Sequence, residues 1–364
     1  MSQVTIGVLA DPDLPARLAR QLADDLPDAL RRCGAADLRW RVEVLGDPFE
    51  AMHPGDDYLI DKARHHVRDT SWDLALCLTD LPLRDAGGVM VATVDTRRHI
   101  ALVSVPALGG VRLRHRLTAL VLAVIGAIRP ETRIPDNPRD DLAARLPRGL
   151  RVRRGDATGE IHVHRSRLPG VATLLAGMVR ANRPWQLIVG LSNALAGALA
   201  GTAFGVLYSS IWQLATALGP VRLIAVTAAA LTTLTVWTVA GHSLWERPAP
   251  GSLRSRDPDR TLRNTGTLTT VAVGAGTFFA VLYLLALAAV AVAIPPAYLA
   301  TVLARSVDVR DYLTIALMAA VLGTIAGAVG SGLEDDVTVR KAAYGHRELE
   351  RRRRAEQLRD TSDT

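Results

Sequence analysis

The spacing of apolar residues changes character once along this chain, and the two sides of the change predict different kinds of structure. On the N-terminal side the apolar positions come in short blocks. "VTIGVLA" (Val4 to Ala10) is a continuous apolar run of strand length and predicts a buried strand, and Asp13 to Gly34 repeats apolar residues at helical spacing, an amphipathic helix stopped by glycine. "LRWRVEVLG" alternates, as a half-buried strand does, and "DYLIDKARHHVRD" predicts a second helix. Trp72 to Asp80 is another buried strand, followed from Gly88 to Val105 by a hairpin turning near Asp95 to Arg98. Arg112 to Ile128 has about a dozen consecutive apolar residues, which fits a core helix rather than a membrane span. Strands alternating with helices predict a sheet covered by helices, an α/β domain over residues 1–130.

Residues 131–167 are rich in Pro, Asp and Arg and read as a linker with an appended β-hairpin, "RVRRGDATGEIHVHRS". Beyond it the apolar runs lengthen. About Trp185 to Leu207, Leu223 to Leu244, Thr267 to Ala293 and Tyr312 to Leu333 are each apolar over roughly 20 residues, enough to cross a bilayer. None carries a charge at its middle, where one would cost roughly 2.5–3.5 kcal/mol. The expected fold class is an α/β cytosolic domain followed by an all-α four-helix transmembrane bundle over residues 185–333. "LPGVATLLAGMVRANRPW" is too short to cross, ends in Arg180, Arg183 and Trp185, and reads as an interfacial elbow helix over 168–184.

Charge sets the expected orientation. The chain has 43 Lys+Arg against 36 Asp+Glu, a formal net charge of +7, and only Lys62 and Lys341 are lysines, the usage of a GC-rich, actinobacterial type of genome. The arginines gather beside the apolar segments, so anionic lipid head groups are their expected partner and nucleic acid is not. Arg247, Arg254, Arg256, Arg260 and Arg263 sit in one connection, and Arg340, Lys341, Arg347 and Arg351 to Arg354 in a basic tail over 334–364. The positive-inside bias then puts both termini in the cytoplasm of a bacterial inner membrane. No signal peptide is expected, because "MSQVTIGVLADPD" lacks a basic segment followed by an apolar one. Cys33 and Cys77 form no zinc-like spacing and read as reduced thiols.

Small residues recur at every fourth position within two of the apolar runs. Asn193, Gly197, Gly201, Gly205 and Ser209 form one stripe, and Ala319, Gly323, Gly327 and Ser331 another. Lipid requires no such residues, whereas helices in contact do, because a missing side chain lets two backbones approach. The stripes are therefore packing faces, within one bundle or between the copies of a homo-oligomer. The threonines of "TAAALTTLTVWT" could line a pore or bond their own helix.

Chemistry has fewer candidates. If the strands ending "VLADPD" and "CLTDLPLR" are parallel neighbours, Asp11, Asp13 and Asp80 converge at their carboxyl edge with Arg84 nearby, where open α/β sheets bind ligands. Asp11 and Asp13 also suit helix capping, and Asp80 a turn. His162 and His164 share one face of a strand, but without a third and fourth ligand no metal site is assigned. No phosphate-binding loop, nucleophile elbow or HExxH motif is present, so no catalytic residue and no cofactor are assigned. Proton or sodium coupling uses an ionisable group at membrane depth, and the spans offer only Asn193 and, near the inner face, His242, which argues against a proton-coupled carrier or pump.

At "WDLALCLTDLPLR", "HIALVSVPALGG" and "MVRANRPW" the chain resembles a family of uncharacterised bacterial membrane proteins, common in actinobacteria, with a soluble N-terminal region ahead of several spans; that resemblance implies no activity. The order of its first strands and helices also resembles the front of archaemetzincin-type zinc proteases, whose following helix carries HExxH. Here that helix reads "RLRHRLTALVLAVIG", with His115 alone, so the resemblance implies an inactive scaffold. The function expected is that of a non-catalytic, oligomeric four-span membrane protein whose cytosolic domain binds a partner or small ligand. The alternatives are a channel or transporter for a neutral or lipidic solute, gated by that domain, and a membrane-anchored enzyme using the Asp cluster.

Overall fold

The computed structural model describes residues 3–32, 38–46, 72–85, 88–128, 138–155, 159–182, 192–245 and 258–332. The chain divides into two compact units, one within Met1–Ala181 and one within Asn182–Gly345. The predicted helix over 57–69, the linker at 129–137, the arginine connection at 246–257 and the basic tail lie outside the described residues.

The first unit is a mixed sheet with helices on it. In chain order its elements are β1 (Gln3–Ala10), α1 (Leu14–Arg32), β2 (Arg39–Gly46), β3 (Leu74–Thr79), β4 (Leu83–Asp85), β5 (Gly88–Asp95), β6 (Ile100–Ser104), α2 (Leu113–Ile128), α3 (Pro138–Arg145), β7 (Leu150–Arg154), β8 (Glu160–Arg165) and α4 (Arg167–Asn182). The strands lie in the order β2-β1-β3-β6-β5-β8-β7, with β4 paired to β5. β1 runs parallel to β2 and β3, and β3 parallel to β6, while β5 is antiparallel to β6 and β8. Continuous apolar runs became central strands because burial on both faces leaves no polar face to alternate: β3 and β5 are buried at every residue and β1 at all but its first. α1 covers the sheet with Leu14, Leu18, Leu22, Leu26 and Leu30, a strict every-fourth stripe. On a second cluster Leu9, Cys77, Leu83, Met90 and Leu102 pack around Trp72. The Trp72 ring lies against Gly7, where any side chain would collide with it, and its Nε1 donates to Glu43 Oε2 at 2.9 Å. The turn between β5 and β6 falls where the pattern put it, with Asp95 Oδ1 accepting from the backbone N–H groups of Arg97 and Arg98, both at 3.1 Å.

Two expectations change here. The hairpin over 151–166 is no appended ribbon: β8 pairs along β5 from Val89–Arg165 to Asp95–Glu160 and extends the sheet. β5 is buried throughout and would otherwise leave a row of backbone groups unpaired at its second edge, and Ile161 and Val163 bring the apolar face that seals it. The helix read as an interfacial elbow is the last element of this unit. Its Gly177 sits on the Pro106 backbone, a Cβ built on Gly170 would stand 3.3 Å from Val89, and Ala176 lies against Gly110, so its small residues dock it on the sheet domain.

The second unit is helical: α5 (Ser192–Leu207), α6 (Ser209–Ala217), α7 (Pro220–Gly241), α8 (Pro258–Ala293), α9 (Pro296–Leu303) and α10 (Val309–Ser331). Among the described residues three helices, α7, α8 and α10, are long and apolar enough to cross a membrane, and α5 with α6 makes a fourth only if that pair, bent by 83°, counts as one span. α10 is the central helix, with 61% of its apolar window buried against 28% for α7 and for α8. Its start is fixed by a capping box between Asp308 and Asp311, and Arg305 Nη1 donates to Asp311 Oδ2 at 3.0 Å.

The two small-residue stripes meet each other. A Cβ built on Gly205 would stand 2.6 Å from Ala319 Cα, and one on Gly201 would stand 2.8 Å from Ala326 Cβ and 3.0 Å from the Leu322 carbonyl oxygen. A Cβ built on Gly197 would stand 3.0 Å from the Ala326 carbonyl oxygen, and from the other side Gly323 lies on Thr202 and Gly327 on Ala194 and Ala198. Ser209 does not continue the stripe. The chain turns extended at Tyr208 (φ −96°, ψ 113°), so Ser209 opens α6 instead. The bend is held by Trp212, whose indole N–H donates to the Val206 carbonyl oxygen at 3.1 Å, a group the broken helix leaves free. Ser331 Oγ donates to Ala328 within its own helix, and Thr227, Thr235 and Thr238 likewise bond the carbonyl four residues back.

Because Gly205 has no room, Gly205→Val should overpack the α5–α10 contact by about 1–3 kcal/mol and lower the melting temperature in detergent by several degrees. Gly276→Val, at a glycine of α8 with nothing within 4 Å of a built Cβ, should leave it within a degree or so. Equal melting of the two variants, followed by intrinsic fluorescence, would contradict this packing.

Candidate functional site

The parallel pairing of β1 with β3, with Ala10 opposite Leu78, brings the expected carboxyl edge into being. Asp11 follows β1 directly, its backbone N–H donating to the Leu78 carbonyl oxygen at 2.9 Å, and the residue is fully buried. A buried carboxylate must be hydrogen-bonded, and Asp11 Oδ2 accepts from Thr79 Oγ1 at 2.7 Å and from the Asp80 N–H at 3.2 Å. Thr79 Oγ1 in turn accepts from Leu81 N–H at 3.1 Å, so the carboxylate organises the turn that follows β3. Asp11 and Asp80 are thus brought together. Asp13 is exposed and left-handed (φ 67°) just before α1, a conformation aspartate tolerates better than most residues, and its carbonyl accepts from Arg17 N–H at 3.2 Å. Arg84 lies on β4, opposite Val89 of β5. Burial first, and then the negative charge of Asp11, push the Cys77 thiol well above its ordinary range.

A second constellation lies on the other side of the sheet order. Strand alternation puts Glu160, His162 and His164 of β8 on one face, and β4, held antiparallel on β5, delivers Asp85 to it. His164 Nε2 is 2.7 Å from Asp85 Oδ2, His162 Nδ1 is 3.5 Å from the same oxygen, and His162 Nε2 is 3.5 Å from Glu160 Oε1. The rings stand with centroids 5.9 Å apart and planes at 57°. One ligand atom from each of Asp85, His162 and His164 lies within 4.8 Å of the others. The third donor that the sequence left unassigned is Asp85. Alternation on β8 already pointed to Glu160, whereas Asp85 is 79 residues from His164, and only the pairing of both strands with β5 joins them.

In the helical unit Gly197, Gly201, Gly205, Ala319, Gly323 and Gly327 make the α5–α10 contact given above, while Ser209 opens α6 and Ser331 bonds within α10. Asn193 belongs to α5, but its side chain lies outside the described residues. A scan of the chain against protein-family models finds no match, and neither the curated proteins nor the solved structures supply one.

Burial and the Asp11 charge both disfavour the Cys77 thiolate, so raising the pH through the range where ordinary thiols ionise, near 8.5, should not expose a reactive sulfur. In a Cys33→Ser background Cys77 should resist Ellman's reagent at pH 8.5 until denaturant is added. Asp11→Ala, which removes a carboxylate from two hydrogen bonds, should lower stability by about 2–3 kcal/mol and bring labelling to lower denaturant. Rapid labelling of the native protein would contradict the buried core at this edge.

Proposed function

We propose that this chain is an integral membrane protein without catalysis of its own, whose sheet domain faces the cytosol and binds a partner or small ligand. The observation that carries the reading is that long helices show apolar residues outward. Val221, Ile224, Leu284, Val292 and Val329 are each at least 63% exposed, on helices whose length and hydropathy suit a bilayer. Water would leave those faces uncovered, and lipid covers them. Four crossings, with the α5–α6 pair as the first, fit both termini on the cytoplasmic side, and the arginines of the connection at 246–257 and of the tail then lie against anionic head groups. The small-residue stripes are spent on α5 and α10 of one chain, so a homo-oligomer in this reading uses the outward faces of α7 and α8, where Gly241 and Gly276 have open space around them. Nothing about the Asp11–Asp80 edge calls for turnover, since the Asp11 carboxylate is engaged in holding a turn.

A second reading, a channel or transporter for a neutral or lipidic solute, draws on the 83° break between α5 and α6. Broken helices at membrane depth occur where backbone lines a cavity or is covered by protein. Here the indole of Trp212 covers the carbonyl at the break, which favours the structural role.

Single cysteines placed in a cysteine-free chain decide the topology. Positions in the sheet domain, in the 246–257 connection and in the tail should react with a membrane-impermeant maleimide only after cells are opened, and Ser306→Cys, between α9 and α10, should react in intact cells. Reaction of the sheet domain from outside, or release of the protein from membranes by alkaline carbonate, would contradict the reading.

A further inference from the structure

We propose that Asp85, His162 and His164 form a binding site for a divalent transition metal, with zinc the best match to the donors. Two imidazole nitrogens, which are borderline ligands, with one carboxylate oxygen make a set that zinc takes, whereas magnesium and calcium prefer oxygen alone. Two of the three ligand separations are already close to what an ion needs, and the third is within 4.8 Å. In a tetrahedron with bonds of about 2.1 Å, ligand atoms stand about 3.4 Å apart. His162 Nδ1 and Asp85 Oδ2 are already 3.5 Å apart, and His164 Nε2, now hydrogen-bonded to the same oxygen at 2.7 Å, has to move outward by less than an ångström.

The groups behind the ligands are arranged as metal sites require. A metal-bound histidine usually gives its other ring nitrogen to a carboxylate, which fixes the tautomer and turns the lone pair to the ion. His162 offers Nδ1 toward Asp85 and Nε2 toward Glu160 Oε1 at 3.5 Å. Asp85 is oriented the same way: its Oδ1 accepts from Gly88 N–H at 3.1 Å, which leaves Oδ2 toward the two rings. Gly155 closes over Glu160 and His162, since a Cβ there would stand 2.7 Å from Glu160 Cγ and 3.0 Å from His162 Nε2. β5, to which both ligand-bearing strands are paired, has a register shift between Met90 and Ala92, and such irregularities re-aim side chains beside sites.

Access and charge also fit. The side chains of His164, His162 and Asp85 are 8%, 16% and 26% exposed, so the cluster opens on the Asp85 side, where a water or an external carboxylate would complete the coordination. Asp85 and Glu160 together match the charge of a dication. Arg151 and Arg153 pair across from His164 and His162 on β7, and both are exposed, so their charges rest in solvent.

The test uses the full-length protein in mild detergent, stripped with EDTA and titrated with zinc against a competing chromophoric chelator. One zinc per chain is expected. Asp85→Asn and His162→Asn should each weaken it at least tenfold, and Glu160→Gln by about tenfold while one zinc still binds, with circular dichroism showing each variant folded as the parent. X-ray absorption of the zinc-loaded parent, independent of any variant, should give a nitrogen/oxygen shell with the outer scattering of two imidazoles. Absence of stoichiometric zinc, affinity undiminished in Asp85→Asn, or a sulfur shell would each overturn the site.

Discussion

The helical unit depends on one constraint, the approach of α5 to α10 at backbone distance. In the membrane setting proposed for this unit the hydrophobic effect supplies no force between apolar helices, because a hydrocarbon tail is as good a neighbour as a leucine. What remains is dispersion between atoms at contact distance, which is small for each pair and large in sum. Gly197, Gly201 and Gly205 on one side and Ala319, Gly323 and Gly327 on the other remove the side chains that would hold the two cylinders apart. Everything else in the unit is arranged around the helix so anchored. α10 is the most enclosed, capped at its start by Asp308 and Asp311 and tied near its end by His242 Nε2, 3.1 Å from the Ser331 carbonyl oxygen. Tyr312 donates its hydroxyl to the Ile294 carbonyl, closing the end of α8 as well.

The sheet unit is built on a different force. β1, β3 and β5 are buried on both faces and draw their stability from removing apolar surface from water. Its polar groups serve that burial: Asp11 braces the turn after β3, and Asp95 the turn after β5. The Asp85–His162–His164 group differs, because besides the Gly88 N–H on Asp85 Oδ1 it gathers two imidazoles on the other carboxylate oxygen, with one possible ligand atom from each residue within 4.8 Å of the others. Such a group at a half-open sheet face is where a protein of this architecture would sense or hold something.

How much of this was legible in the sequence follows from the physics of each element. The central strands could be read because two-sided burial writes a continuous apolar run, and the turn at Asp95 to Arg98 because its residues cap their own backbone. The long helices could be read from length alone. The joining of β7 and β8 to the sheet could not, because "RVRR" looks like a solvated edge, and the buried Ile161 and Val163 are only two positions. The break at Tyr208 left no glycine or proline as a mark; it is made by tertiary packing, with Trp212 reaching back to Val206. The small-residue stripes announced a close contact without naming the partner, since a stripe reads the same whether the helix it meets is in the same chain or another. Asp85 was hidden by its distance along the chain from the histidines it joins.

In one molecule the two small-residue stripes of α5 and α10 face each other, and a cross-link between them tests this directly. Gly201→Cys with Ala326→Cys, in a chain with Cys33 and Cys77 replaced, puts a new Cβ at 201 where an ideal one would stand 2.8 Å from the Ala326 Cβ, so the helices need to part by only about an ångström to reach the separation a disulfide spans. Mild oxidation in native membranes, followed by intact-mass measurement, should give a monomer lighter by two hydrogens and no covalent dimer. Cross-linked dimers, or two free thiols after oxidation, would contradict it.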